Sequence, residues 1–174
     1  MSDGRQLNFL EKAIRIIPGY KGYKGKEERR DNDALFRGML ATRLEGLSAM
    51  AVSGLANLKG PSALDAAGGF DRLTKKLELA ADKVRFASRG YRGWFDMHKV
   101  QEGELDKLYE FDCSLTEDVE KMQVDFEALG SAVDSGTGVK ETLEVAIAGL
   151  DDFIHKLEGR SSLMVDLQNN TPIN

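Results

Sequence analysis

The sequence predicts an all-α protein: an antiparallel bundle of about four long helices plus a short N-terminal helix. Three observations carry this. Apolar residues recur at three- and four-residue steps over most of the chain. Only three prolines interrupt its 174 residues. No stretch has the alternating pattern of a half-buried strand. A chain of this length can bury a core as one domain. The expected domain is residues 1–158, with 159–174 as a flexible or docking tail.

The elements follow in order. Residues 7–17 place Leu7, Leu10, Ile14 and Ile17 on one helical face, and Pro18 ends that run. The first long helix is expected from about Glu27 to Leu58. Phe36, Leu40, Leu44, Leu47, Ala51, Leu55 and Leu58 form its apolar stripe. A neighbouring stripe is small, from Gly38 and Thr42 through Gly46, Ala49 and Ser53 to Ala56. Glycine inside a helix costs about 1 kcal/mol against alanine. Gly38, Gly46 and Gly54 therefore predict either close approach of another helix or a break.

Gly60-Pro61 ends that segment, and residues 60–69 read as a loop. The next helix is expected over Asp71–Ser88, with Leu73, Leu77, Ala80, Val84 and Ala87 inward. The clearest helix runs from about Glu102 to Val133. Its seam passes from Leu108 and Phe111 through Leu115, Val119, Met122, Phe126 and Leu129 to Val133. That near-heptad spacing suits packing along another helix. Residues 134–138 read as a turn. The last helix is expected over 139–158, with Gly159 as its cap.

Two glycine phrases stand out. Gly19-Tyr20-Lys21-Gly22-Tyr23 and Gly90-Tyr91-Arg92-Gly93-Trp94 share one pattern of glycine, tyrosine, base, glycine and aromatic. Both fall at helix junctions. If the first two long helices pair as a hairpin, both phrases lie at one end of the bundle. As a contact surface, Tyr20, Tyr23, Tyr91 and Trp94 supply amphipathic rings, and Lys21, Lys24, Arg89 and Arg92 supply charge. As structure, the same rings would plug the bundle end. The N-terminal helix has a matching ambiguity between packing on the bundle and lying at a lipid interface.

Charge is uneven. Residues 1–100 hold 19 Lys and Arg against 12 Asp and Glu, and residues 101–174 hold 5 against 17. The halves can attract outside partners, pair between subunits, or simply form oppositely charged neighbouring faces. No apolar run of about 18 residues predicts a membrane-spanning helix. No secretory signal pattern opens the chain. The single Cys113 excludes an internal disulfide and fits a reducing cytoplasm. The expected location is cytoplasmic, extending to the inner face of the membrane.

Enzyme chemistry finds little to use. Asp152 and His155 have the only spacing comparable to a bundle metal site, and His98 lacks such a partner. Cys113 lies one position off the apolar stripe, as packing cysteines do. No phosphate-binding loop, nucleophile elbow or dinucleotide fingerprint is present in the sequence. We expect no catalytic residue, no metal and no cofactor, and no nucleic-acid partner.

The stretch from Ile17 to Lys24, followed by Lys26-Glu27-Glu28-Arg29-Arg30-Asp31, resembles the start of a group of uncharacterised bacterial helical-bundle proteins. Residues 90–96 and 105–112 are similar to a second block of that group. The resemblance covers most of residues 15–120 and brings no activity or catalytic residue. Members accompany band-7 (SPFH-type) membrane-scaffold proteins, which implies a role beside a membrane or a large assembly. The expected function is a non-enzymatic assembly or adaptor protein. Its expected partner is another protein or a second copy in a homo-oligomer, with peripheral contact to anionic membrane. The alternative is a protein-binding or self-assembling module that uses the long helix 102–133. A metal-dependent bundle enzyme ranks behind both.

Overall fold

The computed structural model describes residues 26–86 and 102–170. Four α-helices account for nearly all of them: α1 (Lys26–Asn57), α2 (Pro61–Phe86), α3 (Glu102–Ser135) and α4 (Val139–Asn170). The described residues contain no strand. The expected helix 7–17 and both glycine phrases lie outside the described residues.

α1 and α2 form one antiparallel hairpin, and α3 and α4 form the other. Gly54 of α1 meets Phe70 of α2, whereas Glu45 of α1 is bridged to Arg85. In the second hairpin Gly149 meets Met122, and Gly159 meets Phe111. The hairpins pack with like helices side by side. Gly54 also approaches Val133 of α3, and Gly69 of α2 approaches Leu143 of α4. The diagonals of the bundle are therefore α1 with α4, and α2 with α3.

The core follows the expected stripes except at Leu55, which is exposed because it falls on the outer side of α1, and at Phe111, which is half-buried. Leu40, Leu44, Phe70, Leu73, Leu77, Leu115, Phe126, Leu150 and Phe153 are fully buried in one continuous cluster. The seam of α3 is spent inside this bundle: Leu108, Leu115, Val119, Met122, Phe126, Leu129 and Val133 are all buried.

Two boundaries differ from expectation. Residues 61–69 are helical rather than loop. Pro61 lies in the first helical turn, where its missing N–H removes no helix bond. Ala66 and Phe70 then enter the core, which holds the segment in register despite Gly68-Gly69. The last helix does not stop at Gly159 but runs to Asn170. Gly159 sits against the Phe111 ring, where a Cβ would lie 3.4 Å from Cζ. Beyond it Arg160 is buried and Leu163 packs on the core. The stretch expected as a tail is thus helix through residue 170.

The small stripe of α1 also differs. Only Gly54 permits a close approach, with its missing Cβ 3.1 Å from Phe70 Cε1. Gly38 and Gly46 are exposed and have nothing within 4 Å of a Cβ. Neither breaks the helix.

The α3–α4 turn has a clear cause. Gly136 and Gly138 have φ of 69° and 70°, a conformation glycine adopts without steric cost. The Gly136 N–H donates to the Val133 carbonyl, and the Thr137 N–H to Ala132. This paired closure satisfies the last carbonyls of α3 and reverses the chain.

Candidate functional site

The most concentrated chemistry lies at the end of the bundle where α1 and α3 begin. Arg160 of α4 donates from Nε to Asp112 Oδ1 of α3 at 2.7 Å. Its Nη2 donates to Asp33 Oδ1 of α1 at 2.9 Å and to Asp112 Oδ2 at 3.4 Å. These side chains are 3%, 4% and 1% exposed for Arg160, Asp33 and Asp112. One guanidinium therefore joins three helices inside the protein. It also lies 5.6 Å from the Phe36 ring centroid, within cation–π range.

Arg37 extends the cluster outward. Its Nε donates to Asp33 Oδ2 at 2.8 Å, and its Nη1 donates to the Arg85 carbonyl at 3.1 Å. The second bond reaches the C-terminal turn of α2, where orphan carbonyls need donors. Among the described contacts two arginines thus meet two carboxylates. Arginine suits this role because its planar fork serves several oxygens at once. Asn32 is buried beside Asp33, and Thr116 donates its hydroxyl to the Asp112 carbonyl at 2.9 Å.

The cluster is at the level where α2 stops. α1, α3 and α4 continue past it by about 10 to 15 Å at 1.5 Å per residue. Phe86, the last residue of α2, is 56% exposed at this step. Lys26, Phe86 and Glu102 border the two segments that contain the glycine phrases, and all three stand at this end. The hairpin condition set by the sequence is therefore met. Tyr20, Lys21, Tyr23, Lys24, Arg89, Tyr91, Arg92 and Trp94 themselves lie outside the described residues.

Asp33, Asp112 and Arg160 were not singled out by sequence reading, although a signal existed. Each charge falls in register with an apolar stripe. Asp33 precedes Phe36 by three positions, Asp112 lies between Leu108 and Leu115, and Arg160 follows Leu157 by three. Charged residues at core positions of separate helices predict one another. The three- and four-residue spacing of α3 also runs through Phe111, one position before Asp112, and so masks the acid.

No family model, curated protein or solved structure matches the chain. The site must be read from its own chemistry. Among the described residues no three His, Cys, Asp or Glu side chains gather as a metal would need. Asp152 and His155 are both exposed on α4. Cys113 is half-buried. No described helix is long and apolar enough to cross a membrane.

Several other charges pair across the helices of the bundle. Lys76 and Lys83 of α2 bridge to Asp151 and Glu158 of α4, both pairs seven residues apart on each helix. Lys156 bridges to Asp118 at 2.6 Å. Among the described residues, Lys76 and Lys83 of the basic first half thus pair with acids of the second half within one molecule. At the opposite end, an open cleft of about 350 Å³ is lined by Arg72 and Lys140 together with Asp65, Glu141 and Glu144. Its signs are mixed.

Proposed function

We propose that this protein is a non-enzymatic helical-bundle adaptor that works by association beside a membrane-scaffold system. The end bearing the Arg160 cluster is its contact end. The observation that carries the reading is the convergence of Lys26, Phe86 and Glu102 at that end. Each borders a segment with one glycine-aromatic-basic phrase. Tyrosine and tryptophan beside fixed cations suit an anionic interface. The buried arginine cluster supports the reading in a second way. It locks three helices at one end, so a surface built there rests on a rigid base. The exposed Phe86 ring adds apolar surface at the same place. The scaffold setting comes from the resemblance of the two phrases and their flanks.

Co-sedimentation with phosphatidylserine-containing vesicles tests the membrane arm. The wild-type chain is expected to pellet with anionic vesicles and to stay in solution with phosphatidylcholine alone. Tyr23→Ala with Trp94→Ala is expected to abolish pelleting while circular dichroism stays unchanged. Equal behaviour of variant and wild type sinks the reading.

A further inference from the structure

The last turn of α2 is tied to neighbouring helices through Lys83, Arg85 and Arg37. Lys83 reaches Glu158 of α4, Arg85 reaches Glu45 of α1, and the Arg85 carbonyl accepts from Nη1 of Arg37. The first two ties lie in solvent, with side chains 36% and 56% exposed in one pair and 44% and 50% in the other. Such pairs contribute little and are screened by salt. The Arg37 side chain is 12% exposed, and the Asp33 it holds is 4% exposed. Of these ties, only the one through Arg37 is rooted in the interior. The carbonyl it serves is among the orphan acceptors that end a helix. Val84 packs inward in the same turn, but Arg85 and Phe86 beyond it are exposed, so polar ties decide where they sit.

That root is a run of planar groups, each using a different atom for each neighbour. Arg160 gives Nε to Asp112 Oδ1 and Nη2 to Asp33 Oδ1. Asp33 offers its other oxygen, Oδ2, to Nε of Arg37. Arg37 then gives Nη1 outward to the Arg85 carbonyl. A guanidinium is a rigid fork, so fixing Nε fixes where Nη1 points. One unbroken run of directed bonds therefore leads from α3 through α4 and α1 to the end of α2. Asp33 and Arg37 stand four residues apart on α1, so one helical turn holds their spacing as well.

We infer that Arg37 is a positioning residue that couples the buried Arg160 cluster to the last turn of α2, so that loosening Asp112 or Asp33 inside the bundle frees the α2 end at its surface. The coupling is reciprocal. A contact that holds the α2 end also favours the closed cluster, and with it the grip of α4 on α1. Arg37→Lys separates charge from direction. It keeps the cation but not the fork, so a pull on one acceptor is no longer carried to the other. This inference does not rest on the proposed membrane contact, because every bond in it lies within the chain.

Hydrogen exchange of the full chain in solution, followed by NMR at single amides and without vesicles, tests it. The amides of residues 83–86 are compared with those of residues 54–57, the last turn of α1 at the opposite end of the bundle. Arg37→Lys is expected to speed exchange at 83–86 by about tenfold, the scale of one charge-assisted hydrogen bond, and to leave 54–57 unchanged. Asp112→Asn lies on the helix diagonally opposite α2. It is expected to speed the same amides by at least about threefold in the wild type and to add nothing in the Arg37→Lys background. If Asp112→Asn does not melt cooperatively, Arg160→Lys serves as the remote variant with the same expected outcomes. Unchanged exchange at 83–86 in Arg37→Lys overturns the inference. So does a remote variant without effect there, or one whose effect adds in full to that of Arg37→Lys, since independent structural roles are additive.

Discussion

Arg160 reaches across the diagonal of the bundle to Asp33, 127 positions away in sequence, at 2.9 Å. The same guanidinium holds Asp112 on the intervening α3. α1 and α4 make little other contact, so this arginine joins opposite corners of the fold. A hydrophobic trio could fill the space, but it would not fix the register of three helices through directed bonds.

Arg160→Met tests that role. It leaves Asp33 and Asp112 buried without their shared cation. The expected loss is about 3–5 kcal/mol of unfolding free energy, read by urea titration. Replacing all three, as Arg160→Met with Asp33→Leu and Asp112→Leu, is expected to recover most of it. Retention of full stability by Arg160→Met alone would remove the cluster's structural role.

The glycines of α1 separate into two kinds. Gly46→Ala enters open space and gains helix propensity, so a rise of about 0.5–1 kcal/mol is expected at low protein concentration. Gly54→Ala would set a methyl 3.1 Å from Cε1 of the fully buried Phe70 ring, which must shift by a few tenths of an ångström to admit it. It is expected to lose about 1 kcal/mol or more. Thermal melts of the two variants under one condition give opposite signs if the packing is as described.

Helix existence was legible from spacing alone, because the apolar stripes of α1, α3 and α4 are long and regular. Two ends were not. Gly68-Gly69 reads as a loop locally, yet Gly69 packs under Leu143, a neighbour from a different hairpin. Gly159 reads as a cap, yet the helix continues past it, with Arg160 buried and Leu163 packed on the core. At Gly69 glycine serves close packing rather than chain reversal, and in both cases the residues that hold the helix together are distant in sequence. Gly136 and Gly138 carry the reversal itself, and there the local signal sufficed. Hairpin pairing alone places Lys26 and Phe86, which border the two glycine phrases, at one end of the bundle. The Arg160 site was not legible helix by helix. Its ionic cluster needed the three stripes to be overlaid.

The buried seam of α3 sets a third expectation. Leu115 is fully buried between helices of its own chain. Leu115→Asp is expected to abolish cooperative melting, with a loss above about 4 kcal/mol, rather than to dissociate an otherwise folded oligomer. A folded, monomeric variant would instead assign this seam to an intermolecular contact.

The α2–α4 ion pairs give a pH dependence. The hydrogen bond from Lys83 holds the Glu158 carboxyl below its ordinary value of 4.5. A depressed carboxyl stabilises the fold above that value, and the contribution fades as pH falls through the folded pKa. Lys75 behaves oppositely: Asp71 raises its ammonium above 10.5. Its contribution is present below 10.5 and fades as pH rises through the folded pKa. Both groups are exposed, so the effects are small and salt-sensitive. Glu158→Gln is expected to melt slightly below wild type at neutral pH and to coincide with it at about pH 2. A gap that persists in acid would mean the carboxylate is not its source.

Hydrogen exchange of the full chain, alone and with phosphatidylserine-containing vesicles, tests the contact end most directly. Vesicles are expected to slow exchange in peptides adjoining Lys26, Phe86 and Glu102. Peptides around Gly60 and Gly136–Gly138, at the opposite end, are expected to be unchanged. Protection at the Gly60 and Gly136 end, or no change at either end, would contradict it.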